Sequence, residues 1–392
     1  MSYILLYTLD SFQETVNIHI DTSYLRWNNT FPAISICYTK GRSINSIGKF
    51  FEKYWKENNI SKPAKASNYF RLAQSYLFVS PNSNIDLRGS VCTGMNRTCD
   101  MNWDTMQKMF FPHACNEIFV DVKFLNTSVQ CDKIFKLLQT EMGPCFVANS
   151  IYSYEISYEN LPLKYAITTK ERTIDFMYKE IDTVSFILYV HSPEELPHPL
   201  MPSYRLRKSG VYMHYSLNTI EVLNYPDIEK KQIYQRECRF PFENIAPFLA
   251  YSFTNCFFHK RIQLELEICN CTLPTSPTYY KTKYCDLAGL ICVSQANVLS
   301  RTKKYLFEDK QPCIQSCFEM EINIVGENTI NTEDSDMGFV RLEVMSFPSS
   351  RYERRVSHTD LDFIVSLGGV GGLFFGISLL TVFEFIYYCL RK

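Results

Sequence analysis

The chain has 392 residues, with 40 Lys and Arg against 41 Asp and Glu and a formal net charge of −1. That balance excludes a whole-chain electrostatic attraction to nucleic acid. Aromatic residues reach 15%, with 26 Tyr and 29 Phe, which favours a β-rich, aromatic-packed fold over a helical bundle.

Residues 1–9, MSYILLYTL, are apolar and are followed at once by Asp10 and Glu14. Nine residues cannot cross a bilayer, and no basic segment marks a signal peptide. Two readings stay open: a fortuitous apolar start, or the outer half of a transmembrane helix whose beginning is missing. FPAISIC (31–37) and TVSFILYV (183–190) predict buried strands, the second ended by His191-Ser192-Pro193. Helical character lies around 47–56 and 67–76, and 80–135 reads as turn-rich. Residues 251–268 predict a helix, with 290–307 as its antiparallel partner. Alternation at Met320, Ile322 and Ile324, and again at Val340, Leu342 and Val344, predicts strands within 318–347.

The chain's far end is a membrane segment. Phe363 to Phe383 carry no formal charge, and 21 helical residues span roughly 31 Å, about one hydrocarbon core. Arg391 and Lys392 follow, so this end is expected to be cytoplasmic. Gly368, Gly372 and Gly376 recur at i, i+4 and i+8, and Gly369 and Gly371 weaken the same stretch. Such a stripe suits either close helix approach or a narrow pore. Glu384, at the inner end, would form a ring of acids in an oligomer. Asp360 and Asp362 at the outer mouth are offset by Arg351, Arg354 and Arg355, and receive no role.

Fifteen cysteines settle the compartment. Cys389 lies at the cytoplasmic end of the span, leaving fourteen outside, an even number that argues for disulfides. Zinc is the weaker reading of the crowd at 238–317, where His259 is the only histidine. Sequons at Asn28, Asn59, Asn96, Asn126 and Asn270 agree with an exposed ectodomain. An enzyme is not expected: His19, His113, His191, His198, His214, His259 and His358 are scattered, and no phosphate loop or nucleophile motif occurs. His191 is read as a turn residue beside Pro193 rather than a ligand.

FPAISIC (31–37), GPCF (143–146), LPLKY (161–165), YVHSPEELP (189–197), CRFPFE (238–243), CNCTLP (269–274), YCDLAGLIC (284–292) and SLGGVGGLFFGIS (366–378) occur in this order. Together they resemble the degenerin/epithelial sodium channel family, most closely its insect pickpocket branch. The resemblance implies an α+β membrane protein: trimers of two-helix subunits with a disulfide-rich, β-rich ectodomain of palm, β-ball, finger, thumb and knuckle. Residues 1–9 would be the outer part of the first transmembrane helix and 10–360 the extracellular domain. Its finger would lie at about 80–135 and its thumb at about 238–317. Residues 361–390 would be the second, pore-lining helix and 391–392 the cytoplasmic end. Gly376, Ile377 and Ser378 match the family's Gly-x-Ser selectivity filter, and Gly369 matches its outer gate.

The same resemblance implies the bridges Cys37–Cys145, Cys238–Cys317, Cys256–Cys313, Cys269–Cys292 and Cys271–Cys285. In the finger, Cys92–Cys99 and Cys115–Cys131 are the expected pairs. The family's further thumb pair falls here on Lys260 and Gln311, so both members are absent together. The family's His-Gly gating dipeptide occurs nowhere in the chain, and a truncated gene model is the expectation. The implied function is a subunit of a voltage-independent, amiloride-sensitive, sodium-preferring cation channel with a sensory role. Its partners would be lipid, the sodium ion and related subunits in a homo- or heterotrimer at the plasma membrane, with no cofactor. The alternatives are a single-pass receptor or adhesion ectodomain, or a non-conducting accessory subunit. A trimeric ATP-gated channel is disfavoured, because none of that group's sequence blocks occurs.

Overall fold

The computed structural model describes residues 16–21, 27–40, 44–59, 74–81, 103–154, 160–166, 168–181, 184–206, 210–308, 312–332, 336–345, 350–356, 360–376 and 378–391. Residues 1–9, Cys92, Cys99, Asn96 and Ile377 lie outside them, and so do most of the helix expected at 67–76 and the residue Gln311.

In chain order the strands begin with β1 (Val16–Ile20), β2 (Asn28–Thr30), β3 (Ala33–Lys40), β4 (Phe119–Phe124), β5 (Thr127–Ser128) and β6 (Phe135–Thr140). They continue as β7 (Gly143–Ala148), β8 (Lys164–Ala166), β9 (Thr173–Lys179), β10 (Val184–His191), β11 (Tyr204–Arg205) and β12 (Val211–Asn224). The last are β13 (Cys238–Arg239), β14 (Gln315–Ser316), β15 (Glu319–Asn331), β16 (Met337–Val344) and β17 (Ser350–Val356). Helices of two turns or more are α1 (Ile44–Glu57), α2 (Trp103–Phe110), α3 (Phe253–Cys269), α4 (Leu287–Ala296), α5 (Val298–Glu308), α6 (Asp360–Phe375) and α7 (Leu379–Leu390). The chain divides into two units: Met1–Thr22, Val222–Cys238 and Arg351–Lys392 form one, and Ser23–Glu221 with Arg239–Ser350 form the other.

The larger unit is built on two sheets. One runs β11-β10-β3-β7-β6, and every neighbour whose register is defined pairs antiparallel. Its middle strands are apolar on both faces, which is why FPAISIC and GPCF read as near-continuous apolar runs. Residues 143–148 are buried throughout, and Phe31, Ala33, Ile34 and Ile36 are buried with them. The other sheet runs β12-β16-β9-β4-β5, with β15 also on β12. Here β12 and β16 are parallel, with Tyr212 beside Phe339 and Leu217 beside Val344. Val340, Leu342 and Val344 are buried, as the alternation predicts, whereas Met320, Ile322 and Ile324 of β15 are only half-buried.

Aromatic rings from both sheets form the centre of this core. Phe119 of β4 stacks on Phe135 of β6 at 4.6 Å and meets Phe146 and Phe176 edge-on at 5.8 and 5.7 Å. Edge-to-face and offset pairs are the favoured geometries for the ring quadrupole. The high Phe and Tyr content thus goes into packing between sheets. Two readings need correction. The segment 80–135 is less irregular than expected where it is described: α2, β4 and β5 lie in it. FVDVKF buries both Phe119 and Val122, three positions apart, because the register against β9 shifts between Phe119 and Asp121, and so short and irregular a strand is masked by the turn residues around it. The single helix expected at 290–307 is two, α4 and α5, because Asn297 sits at φ 50°, a left-handed conformation that ends a helix.

In the smaller unit β1 pairs antiparallel with β17, Val16 beside Val356 and Ile20 beside Tyr352. The N–H of Tyr225 donates to the Arg354 carbonyl at 3.0 Å. Arg355 lies 4.3 Å from the centroid of the Tyr225 ring and donates to Glu353. Helices α6 and α7 follow β17 in sequence.

Candidate functional site

The uncharged run near the C-terminus folds as helix up to Phe375 and again from Leu379. Among the described residues no helix is long and apolar enough to cross a membrane. The single span expected from 363 to 383 is therefore divided, and local chemistry gives the reason. Gly376 closes the last bond of α6, its N–H donating to the Gly372 carbonyl at 3.0 Å, but its φ is +63°. Only glycine takes that conformation without a Cβ penalty of roughly 1–2 kcal/mol. Ser378 then starts α7 as its N-cap: its hydroxyl accepts from the Thr381 N–H at 3.3 Å, and Thr381 Oγ1 accepts from the Ser378 N–H at 3.4 Å. This reciprocal box satisfies two donors that a helix start leaves free. Gly-x-Ser thus carries one stop signal and one start signal.

Around this break the single chain leaves its apolar side chains bare. Leu373, Phe374, Leu380, Phe383, Phe385, Tyr388 and Leu390 are exposed, large apolar side chains of the kind that lipid or another chain covers. Gly369 is exposed on α6, and among the described residues no atom beyond the helix's own backbone lies within 4 Å of where a Cβ would stand on Gly368, Gly369 or Gly371. Glu384 is exposed on α7, and Cys389 is a free, exposed thiol.

The cysteines of the larger unit staple a helical arm. Cys256 on α3 is bonded to Cys313, Cys269 at its end to Cys292 on α4, and Cys271 to Cys285. Ser252 caps α3, accepting the Asn255 N–H at 3.0 Å, and Asn270 ends it at φ 55°. Cys37 is joined to Cys145 across the paired strands β3 and β7, and Cys115 to Cys131. Cys238 and Cys317 are each in a disulfide as well. Held in disulfides, these cysteines do not offer the thiolates that the zinc reading needs. Asn59, Asn126 and Asn270 are exposed, all three in the left-handed conformation; Asn28 lies in β2.

Two buried polar groupings escaped the sequence reading. Arg261 on α3 is 0% exposed and ion-paired to both Glu141, in the β6–β7 turn, and Glu265, one helical turn along. Glu265 also accepts from the Thr272 hydroxyl at 2.6 Å and the Leu273 N–H at 3.2 Å. Burial pushes the Glu141 carboxyl up to about 7 even with Arg261 against it. The Arg261–Glu265 spacing of four was readable as a helix pair; Glu141, 120 positions away, left no signal. The second grouping is Glu194 and Glu195 in the HSPEELP turn. His191, expected in the turn, is instead the last residue of β10, paired with Ala33: its Nδ1–H donates to the Ser192 carbonyl at 2.8 Å, leaving Nε2 to accept from Ser35 Oγ at 2.7 Å. Burial lowers the imidazole to about 4, so it stays neutral, a structural hydrogen-bond relay between strands.

Comparison with known proteins bears on this geometry. A family model described as "Amiloride-sensitive sodium channel" matches residues 1–388. Sodium channel protein Nach of Drosophila ananassae is 24% identical over 300 residues, 70% of this chain and 56% of that protein. Pickpocket protein 11 of Drosophila melanogaster is 26% identical over 235 residues, 56% of this chain and 45% of the relative. Pickpocket protein 19 of the same fly is 21% identical over 428 residues, 98% and 81% of the two chains. The chain thus spans about half the length of the first two relatives. A solved proton-activated chloride channel aligns over 99% of this chain and 96% of its own at 7% identity and a TM-score of 0.25, too low to carry an argument.

Proposed function

Because the chain belongs to the amiloride-sensitive sodium channel family, a family of ion channels and not of enzymes, we propose that it is one subunit of a trimeric, sodium-preferring cation channel. The channel is voltage-independent, blocked by amiloride and sensory in role, and it sits in the plasma membrane as a two-pass subunit among related chains. The observation that carries this reading is the helix break at Gly376–Ser378 within an otherwise uncharged segment. A break leaves the last carbonyls of α6 without the N–H groups of a following helical turn. In hydrocarbon such groups are tolerated only where protein or water receives them. Three copies of the break around one axis would offer carbonyls and Ser378 hydroxyls to a partly dehydrated sodium ion, and Gly376, Ile377 and Ser378 would form its filter. Gly369 would be the outer gate, where a missing side chain lets three helices close on one another, and a ring of Glu384 would draw cations to the inner mouth. Stimulus energy would enter through the finger and the disulfide-stapled arm.

The test is current through the chain co-expressed with related subunits. Ser378→Trp should abolish sodium current or change its selectivity with surface expression retained. Gly376→Leu should do the same, since leucine is strained at φ +63°. Unchanged selectivity in both variants would remove the filter assignment.

A further inference from the structure

Two acids and one base are enclosed together where the β6–β7 turn meets α3. Side-chain exposure is 0% for Arg261, 6% for Glu141 and 1% for Glu265. The turn has a fixed shape: the Thr140 hydroxyl donates to the Gly143 carbonyl at 2.9 Å and accepts the Met142 N–H at 3.1 Å. Glu141 therefore meets Arg261 from a held backbone on one side and a helix on the other. With both acids ionised the cluster carries a net charge of −1 away from bulk water, which is costly, and a single proton makes it neutral.

The two acids are not equivalent. Glu265 has three donors, the Thr272 hydroxyl, the Leu273 N–H and Arg261. Glu141 takes Arg261 at Oε1, and no donor reaches its Oε2. The proton therefore belongs on Glu141, and burial, the largest influence there, lifts its carboxyl to about 7. Arg261 and Glu265 are the charged groups that act on it. From the segment after α3, Thr272 and Ser276 face the cluster with hydroxyls. A cavity of about 260 Å³ lined by Arg261 and Glu265 gives water a route to it. Residues 79–81 and α4 bring no charge to that cavity, and α5 brings Lys303, which is exposed.

We propose that Glu141, Arg261 and Glu265 form a proton-operated catch between the β6–β7 turn and α3, closed with one proton on Glu141 and loosened when that proton leaves. Opening gives Glu141 to water, where a carboxyl ionises near its ordinary value of about 4. The closed form binds the proton more tightly, so acid favours it. Its advantage falls by up to about tenfold per pH unit between about pH 4 and 7, then levels off. The catch is independent of the channel reading, since none of its residues belongs to the pore segment.

The experiment is amide hydrogen exchange, read by mass spectrometry, on the purified, detergent-solubilised full chain with its disulfides intact. Labelling times are scaled to cancel the intrinsic pH dependence of exchange. Amides in 138–143 and 258–266 should exchange ahead of those in β3 and β10, the mark of a local opening. Their protection should fall at least about tenfold from pH 5 to pH 7 and change little above about pH 8. Glu141→Gln stands in for the protonated carboxyl with a neutral group of the same shape, and should hold its protection level across that range. The proposal is overturned if wild-type protection in these segments is the same at pH 5 and pH 7, or if they exchange only in step with β3 and β10. It is overturned equally if Glu141→Gln follows the wild-type pH curve.

Discussion

Replacing Arg261 by methionine should be among the most damaging single changes in the larger unit, and its damage should depend on pH. The guanidinium is fully buried between Glu141 and Glu265. Removing one partner of a buried ion pair strands the other, at about 3–5 kcal/mol. Glu265 keeps donors from Thr272 and Leu273; Glu141, whose Oε2 already lacks a partner, would be worse served. The folded-state pKa of Glu141, about 7, lies above the unfolded carboxyl's ordinary value near 4. Its contribution is therefore complete below about pH 4 and lost as pH rises through about 7. Without Arg261, which lowers that pKa, the folded value climbs further and the loss deepens at higher pH. At about 2 °C per kcal/mol for a unit of this size, Arg261→Met should unfold roughly 6–10 °C below wild type at pH 8 and much less at pH 5. The assay is thermal unfolding of the purified chain with disulfides intact. The triple variant Arg261→Met, Glu141→Gln, Glu265→Gln should recover most of the deficit, because no charge is then left unpaired. A deficit under about 2 °C at both pH values, or one larger at pH 5, would refute this reasoning.

Other perturbations read different parts of the fold. Glu194→Gln should raise stability by a margin that is small at pH 5 and grows through pH 8. The native carboxyl, pushed up to about 8, loses its folded-state advantage over that interval; urea titrations should show a pH-dependent gain, and a constant one would contradict the assignment. Gly338→Ala should cost about 1–3 kcal/mol, since a Cβ there would meet Tyr178 Cζ at 2.1 Å from the paired strand β9. Trimming the ring with Tyr178→Leu should recover part of that loss in the same unfolding assay.

What could be read from the chain was local. FPAISIC and the strand before HSPEELP announced themselves because both faces are buried, so their apolar runs are uninterrupted. The α3 helix was legible from 251–268, within two residues at its start, where the structure shows Ser252 as the N-cap. The division at Asn297 was not, because an asparagine in a helix is as often solvated as left-handed. The stop at Gly376 needed the resemblance: five glycines in nine residues suggest weakness without saying which one turns. The two buried carboxyl groupings were invisible for a deeper reason. Glu141 and Arg261, or Glu195 and Glu319, are brought together only by tertiary packing, and a single acidic residue in a sequence looks solvated by default.

The position of β16 has a bearing on biosynthesis. It lies between β12 and β9, and its Arg341 grips Asp175 of β9 through two hydrogen bonds, of 2.8 and 2.7 Å, across 166 positions. A ribosome adding about 5–20 residues each second needs roughly 8–30 s to travel that distance. Throughout that delay β9 has an open edge, with Ile174 and Phe176 awaiting the strand that will cover them. The nascent polypeptide must therefore be shielded until nearly all of it has emerged, and a ribosome that stalls before residue 337 would release a sheet with its middle missing.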